Sequence, residues 1–167
     1  MKTLFIGGIK SGKSFHAEKF SLKYSKNLPV YLATTEFIDD EMRERIEQHK
    51  LQRSQNFLTK EEPLNLVEAL EPMKGLVLIE CLSMWINNML YHGFNYEDIK
   101  EHIEKLLALP LDIVFVLNDV GAGIIPDNKL AREYIDISGK ISQILGQNCD
   151  KVFHVIAGIS TQIKGKK

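Results

Sequence analysis

The chain has 167 residues, 44% of them apolar and 26% charged, the composition of a globular domain with room for a sheet covered by helices. A formal net charge of -1 leaves no basic excess for a nucleic-acid or anionic-membrane surface, and the one basic cluster, Lys164, Lys166 and Lys167, reads as a solvated tail. No stretch approaches the length of a membrane span, and the opening apolar run stops at Gly7, too soon for a signal peptide.

The two cysteines, Cys81 and Cys149, lie far apart and in no metal-ligand spacing, as suits a reducing cytoplasm. No repeat or low-complexity linker divides the chain, so a single domain spanning 1–167 is expected. Short apolar runs alternate with helical patterns, the signature of an α/β fold with a mainly parallel sheet.

In chain order, the first strand is predicted at residues 3–6 and the first helix from Ser14 to about Tyr24. A strand at 30–33 precedes a helix at 39–53. A buried strand at 76–79 ends in Glu80. A helix at 95–109 puts Ile99, Ile103, Leu106 and Leu107 on one face and stops at Pro110. A strand at 113–117 follows, then a helix at 127–145 with a stripe of Leu130, Tyr134, Ile137, Ile141, Ile144 and Leu145, bracketed by Pro126 and Gly146. The last strands are predicted at 152–157 and 161–164, the second folding back after Gly158 as an antiparallel edge.

Between the first strand and the first helix, Gly7, Gly8, Ile9, Lys10, Ser11, Gly12, Lys13 and Ser14 match G-x4-G-K-S in full. Glycines let backbone N–H groups surround phosphates where a Cβ would block the approach. The helix start adds its dipole. Lys13 can then reach the β- and γ-phosphates, and the Ser14 hydroxyl can ligate Mg²⁺. The pattern points to a P-loop enzyme handling GTP or ATP. Glu80, ending a buried strand, is the matching acid for Mg²⁺.

A phosphate loop serves kinases, motors and switches alike, so the next segment matters. From Asp39 to Arg53 the helical period places Ile38, Met42, Arg45, Ile46, His49 and Arg53 on one face. His49 is either a half-buried packing histidine or a nucleophile for phosphorus, with the arginines holding phosphate charge. Periodicity alone favours packing.

The strings GGIKSGKS, ATTEFIDDEMRERIEQHKLQR, IECLSMWINNML and NDVGAGIIPDNKLAR, with the C-terminal AGISTQIK, resemble in order the adenosylcobinamide kinase/adenosylcobinamide-phosphate guanylyltransferase family. The resemblance spans essentially the whole chain. It implies a P-loop fold with a final antiparallel strand, and two reactions in cobalamin biosynthesis. A nucleoside triphosphate phosphorylates adenosylcobinamide, then GMP passes from GTP to adenosylcobinamide phosphate through a GMP–histidine intermediate. His49 matches the guanylylated histidine. Nucleotide contacts carry over to the phosphate loop, to Ala33, Thr34 and Thr35, to Lys50, Leu51, Gln52 and Arg53, and to Glu61 and Glu80. A homotrimer is also implied. Lys10 replaces the family's usual Arg, Phe57 a usual Trp, and Asp119 a usual Glu. The 118–123 stretch reads equally as a corrinoid-holding loop or a plain strand-to-helix connection, and Asp119 is its better functional candidate. The alternatives from residue chemistry are a small-metabolite kinase and a GTP-binding switch.

Overall fold

The computed structural model describes residues 1–36 and 56–166. Its elements run β1 (Lys2–Gly7), α1 (Lys13–Tyr24), β2 (Val30–Ala33), β3 (Leu58–Glu61), α2 (Leu66–Leu70), β4 (Leu76–Glu80), α3 (Leu82–Tyr91), α4 (Tyr96–Ala108), β5 (Asp112–Asn118), α5 (Lys129–Asn148), β6 (Lys151–Ile156) and β7 (Ile159–Lys164). The seven strands form one sheet in the order β3-β2-β4-β5-β1-β6-β7. Every pairing is parallel except β6 with β7. This is the P-loop α/β fold with the antiparallel edge expected from the sequence.

Strand alternation sorts the core into two layers. Leu4, Leu32, Val77, Ile79, Ile113, Phe115 and Leu117 face α3, α4 and α5, where Trp85, Ile99, Ile103, Ile137 and Ile141 meet them. Phe5, Tyr31, Leu76, Leu78, Val114 and Val116 face the other way, against Ala17 and Phe20 of α1. Phe57 joins this second layer, buried with its ring edge-on to Tyr31 at 5.7 Å. Phe57 is therefore a core residue.

Several boundaries differ from the sequence expectation, each for a local reason. β3 adds a strand that no apolar run announces, because it is an edge whose Leu58 is exposed. α3 forms where the sequence analysis expects no helix, burying Leu82, Trp85, Ile86 and Met89 at helical spacing. α5 starts at Lys129, because the Asn128 side chain accepts hydrogen bonds from the Leu130 and Ala131 N–H groups, making Asn128 rather than Pro126 the cap. It also runs through Gly146 to Asn148, so that glycine is no stop. Leu130, assigned to the core stripe, is exposed. β6 ends at Ile156, since Ala157 and Gly158 both take positive φ in the turn, and β7 then begins two residues early at Ile159. The helix expected at 39–53 lies outside the described residues.

Candidate active site

The C-terminal ends of the parallel strands gather the site, as crossover connections in open α/β sheets dictate. The loop between β1 and α1 is shaped by two glycines. A Cβ on Gly7 would lie 2.3 Å from the Val155 carbonyl oxygen, on the neighbouring strand. Gly12 caps α1 with φ 96, a left-handed conformation, and sits against Gly158. Lys13 is buried and its Nζ donates to the Gly8 carbonyl at 3.2 Å, folding the ammonium back over the loop. The Ser11 hydroxyl is buried and has no partner among the described residues, so it can take a phosphate oxygen. Ile9 and Lys10 are exposed at the loop's crest.

Across the sheet, the Ser14 hydroxyl donates to Glu80 Oε1 at 2.7 Å. The two residues singled out for Mg²⁺ thus meet although they are 66 positions apart. Both offer hard oxygen donors next to the phosphate loop. Among the described residues no group of three or more His, Cys, Asp or Glu side chains forms a metal cage. Mg²⁺ needs none, since it keeps waters and substrate phosphates as most of its ligands. The donor set fits.

Register extends the site along the sheet edge. Ala33 pairs with Glu61 on one side and with Glu80 on the other. Residues level in a parallel sheet point to the same face, so Glu61, Ala33 and Glu80 all face the α1 side. Glu61 stands two strands from Glu80, roughly 10 Å at the usual strand spacing. Thr34 is fully buried. Its hydroxyl donates to the Cys81 carbonyl at 2.8 Å and accepts the Cys81 N–H at 3.1 Å, tying β2's exit to the residue after Glu80. Burial, and then the neighbouring Glu80 charge, push the Cys81 thiol up, so it stays protonated and inert.

β5 lies between β4 and β1 and ends at Asn118. Val114 and Val116 face α1, so strand parity sends Asn118 toward the same side as Ser14 and Glu80. The sequence pattern singles out Asp119 in this stretch rather than Asn118. Asp119 itself is fixed by its backbone, its N–H donating to the Gly7 carbonyl at 2.9 Å, while its carboxylate accepts the Gly121 N–H. The loop beyond it exposes Ile124 and Ile125. His49, Lys50, Leu51, Gln52 and Arg53 lie outside the described residues.

Comparison with known proteins decides the family. The model of the family described as cobinamide kinase / cobinamide phosphate guanyltransferase matches residues 3–163. The chain belongs to that family. As a cobinamide kinase and cobinamide phosphate guanyltransferase it is an enzyme of cobalamin biosynthesis. It is 34% identical over 183 residues to the bifunctional adenosylcobalamin biosynthesis protein CobU of Escherichia coli (strain K12), covering 98% of this chain and 100% of that protein. It is 35% identical to the corresponding CobP of Pseudomonas aeruginosa, over 99% of both chains. Among solved structures, the flagellar accessory protein FlaH of Methanocaldococcus jannaschii superposes with a TM-score of 0.53 at 12% identity, covering 99% of this chain and 78% of that one. That likeness concerns the fold alone.

Proposed function

We propose that this family member phosphorylates the free hydroxyl of adenosylcobinamide with ATP or GTP, then transfers GMP from GTP to the new phosphate through His49. The observation that carries the reading is the Ser14–Glu80 contact beside a complete phosphate loop, in a chain of this family. In the first reaction the substrate oxygen attacks the γ-phosphorus, the bond to the β-phosphate oxygen breaks, and the nucleoside diphosphate leaves as the hydroxyl proton is lost. In the second, a neutral imidazole nitrogen of His49 attacks the α-phosphorus of GTP, and pyrophosphate departs. An oxygen of adenosylcobinamide phosphate then attacks the same phosphorus, breaking the P–N bond and returning the imidazole.

The chain's own groups bind and orient. Loop N–H groups and Lys13 hold the phosphates, and the α1 terminus adds its positive end. Ser14 and Glu80 would hold Mg²⁺, whose chemistry is to neutralise phosphate charge and orient the phosphoryl oxygens. Glu61, Ala33 and Thr35 border the nucleotide at the sheet edge. Lys50, Leu51, Gln52 and Arg53 complete the nucleotide contacts. The working form is a cytoplasmic homotrimer; Ile156, Ile159 and Ile163, exposed on the β6–β7 edge, supply apolar surface of the kind subunit contacts use.

GTP labelled on the α- or the γ-phosphate tests the reading. Enzyme incubated with Mg²⁺ and α-labelled GTP should gain one GMP per chain, in a bond labile to acid and stable to base. His49→Asn should lose the adduct and guanylyl transfer while keeping part of the kinase activity. An adduct on His16, His92, His102 or His154, or an unmodified and fully active transferase, would overturn it.

A further inference from the structure

β5 ends between two strands that each bring one part of the site. On one side β1 leads into the phosphate loop, and on the other β4 ends in Glu80. Asn118, the last residue of β5, pairs with Gly7, where the loop begins. Level residues of a parallel pair point to one face of the sheet. At Gly7 that direction leads into the loop, since a Cβ there would lie 2.8 Å from the Ser11 hydroxyl. β4 and β5 pair as far as Ile79 opposite Phe115, so Glu80 stands one residue past that pair and Asn118 three. Asn118 therefore overhangs Glu80 on the same face by about 7 Å along the strand. A nucleotide held by a phosphate loop turns its β- and γ-phosphates toward the pair that Ser14 and Glu80 form here. The space beyond that pair and beside the loop falls to the γ-phosphoryl group.

The backbone at this point is fastened from both sides. The Asn118 N–H donates at 2.8 Å to the hydroxyl of Ser83, which is buried in the first turn of α3. The next N–H, of Asp119, donates to the Gly7 carbonyl at 2.9 Å. The Asn118 side chain, in contrast, is half-buried and makes no hydrogen bond among the described residues. Asparagines that serve the fold spend their side chains on backbone groups, as Asn88, Asn95, Asn128 and Asn148 do. An uncommitted amide on a fixed backbone is a donor held ready for a ligand.

We propose that Asn118 is a catalytic residue of the kinase reaction, its amide donating to a non-bridging oxygen of the γ-phosphoryl group. The inference rests on the phosphate loop holding the nucleotide. The bond from the acceptor oxygen to phosphorus forms and the bond to the β-phosphate oxygen breaks. That electron pair stays on the nucleoside diphosphate, and the hydroxyl proton passes to water. A neutral amide stabilises the charge spread over the transferring oxygens and itself neither gains nor loses a proton. A carboxylate in its place would repel them. The neighbouring Asp119 carboxylate is engaged elsewhere, accepting the Gly121 N–H at 3.3 Å.

Two quantities test this in each variant. One is the rate of adenosylcobinamide phosphorylation, with whichever of ATP and GTP the wild type uses faster. The other is the affinity for the matching diphosphate, which lacks the γ-phosphoryl group. Asn118→Ala is expected to lower kcat about tenfold to a hundredfold, with diphosphate affinity within about threefold of wild type. Asn118→Asp keeps the size, replaces the donor by a charge, and should be at least as slow; it also carries the test should the alanine variant not fold. A loss of less than about tenfold in either variant overturns the proposal. A diphosphate affinity lowered more than about threefold in Asn118→Ala overturns it too, because the residue would then support the loop rather than touch the γ-phosphoryl group. Lys13→Ala probes the underlying reading separately. Unaltered diphosphate affinity and rate there would take the nucleotide out of the loop, whereas a loss there beside normal Asn118 variants overturns the role of Asn118 alone.

Discussion

At the scale of single residues the phosphate loop and its acid are the most exposed to test. Lys13 is the only loop side chain that can place a full positive charge on the phosphates from a buried position. A charge-assisted contact of this kind is worth ~2–3 kcal/mol, so Lys13→Ala should lower both activities by roughly thirtyfold to over a hundredfold. Steady-state rates with each substrate measure it, and near-normal values in both would remove the loop from the mechanism. Glu80→Gln preserves the shape and the hydrogen bond to Ser14 but loses the charge. Turnover should fall and the Mg²⁺ concentration for half-maximal rate should rise; an unchanged Mg²⁺ titration would leave Glu80 a structural strand end. These residues were legible in the sequence because their signal is local, eight consecutive positions for the loop and one acid ending an apolar run. Asn118 was not legible, because its place beside the site is defined by which strands flank β5.

At the scale of elements, legibility followed how strongly each segment declares its own ends. α4 was placed almost to the residue, because Asn95 and Asp98 form a reciprocal capping box and Pro110 forbids continuation. Asn95→Ala should therefore cost about 1 kcal/mol, lowering Tm by about 2–4 °C without altering either activity. Thermal unfolding followed alongside both assays checks it. β3 and α3 were missed for opposite reasons: one is a short exposed edge with no apolar pattern, the other a buried helix lodged directly after a strand. α4 also holds α2, through His102, whose Nε2 accepts the Val67 N–H at 3.3 Å. Burial lowers the His102 pKa below its usual 6.5, helped by Lys105. The unfolded chain thus binds this proton more readily, so stability is complete above about pH 6.5 and falls as pH drops through that value toward the folded pKa. His102→Gln should flatten the decline in Tm between pH 7.5 and 5.5 relative to wild type. A variant with an unaltered pH slope would show that His102 stays neutral at no cost.

For the whole molecule, the sheet has two poles with separate duties. Phosphate loop, Glu80, Glu61 and Asn118 all stand at the C-terminal edge, and among the described residues the opposite edge carries fastenings. There Lys2 is buried, its Nζ donating to the Leu109 and Leu111 carbonyls at 2.7 and 2.6 Å, and its backbone N–H to Asp150 Oδ2 at 2.7 Å. Burial lowers the Lys2 pKa, with Asp112 and Asp150 opposing, so the ammonium is costly to hold there and its hydrogen bonds must offset that cost. Lys2→Met keeps the length and removes both the charge and the donors. The Leu109 carbonyl still has the Leu111 N–H at 2.8 Å, and the buried Leu111 carbonyl bears the loss. An unsatisfied buried carbonyl costs about 1–3 kcal/mol, and relief of the desolvated charge returns part of it. The net expectation is a destabilisation of about 1 kcal/mol, a Tm lower by about 2–4 °C. Both catalytic rates at 25 °C should match wild type, because the change lies a full strand length from the phosphates. Glu80→Gln should do the reverse, lowering turnover with little change in Tm. If Lys2→Met slowed either reaction as much as Glu80→Gln does, the two edges would be mechanically coupled and the division of duties would fail.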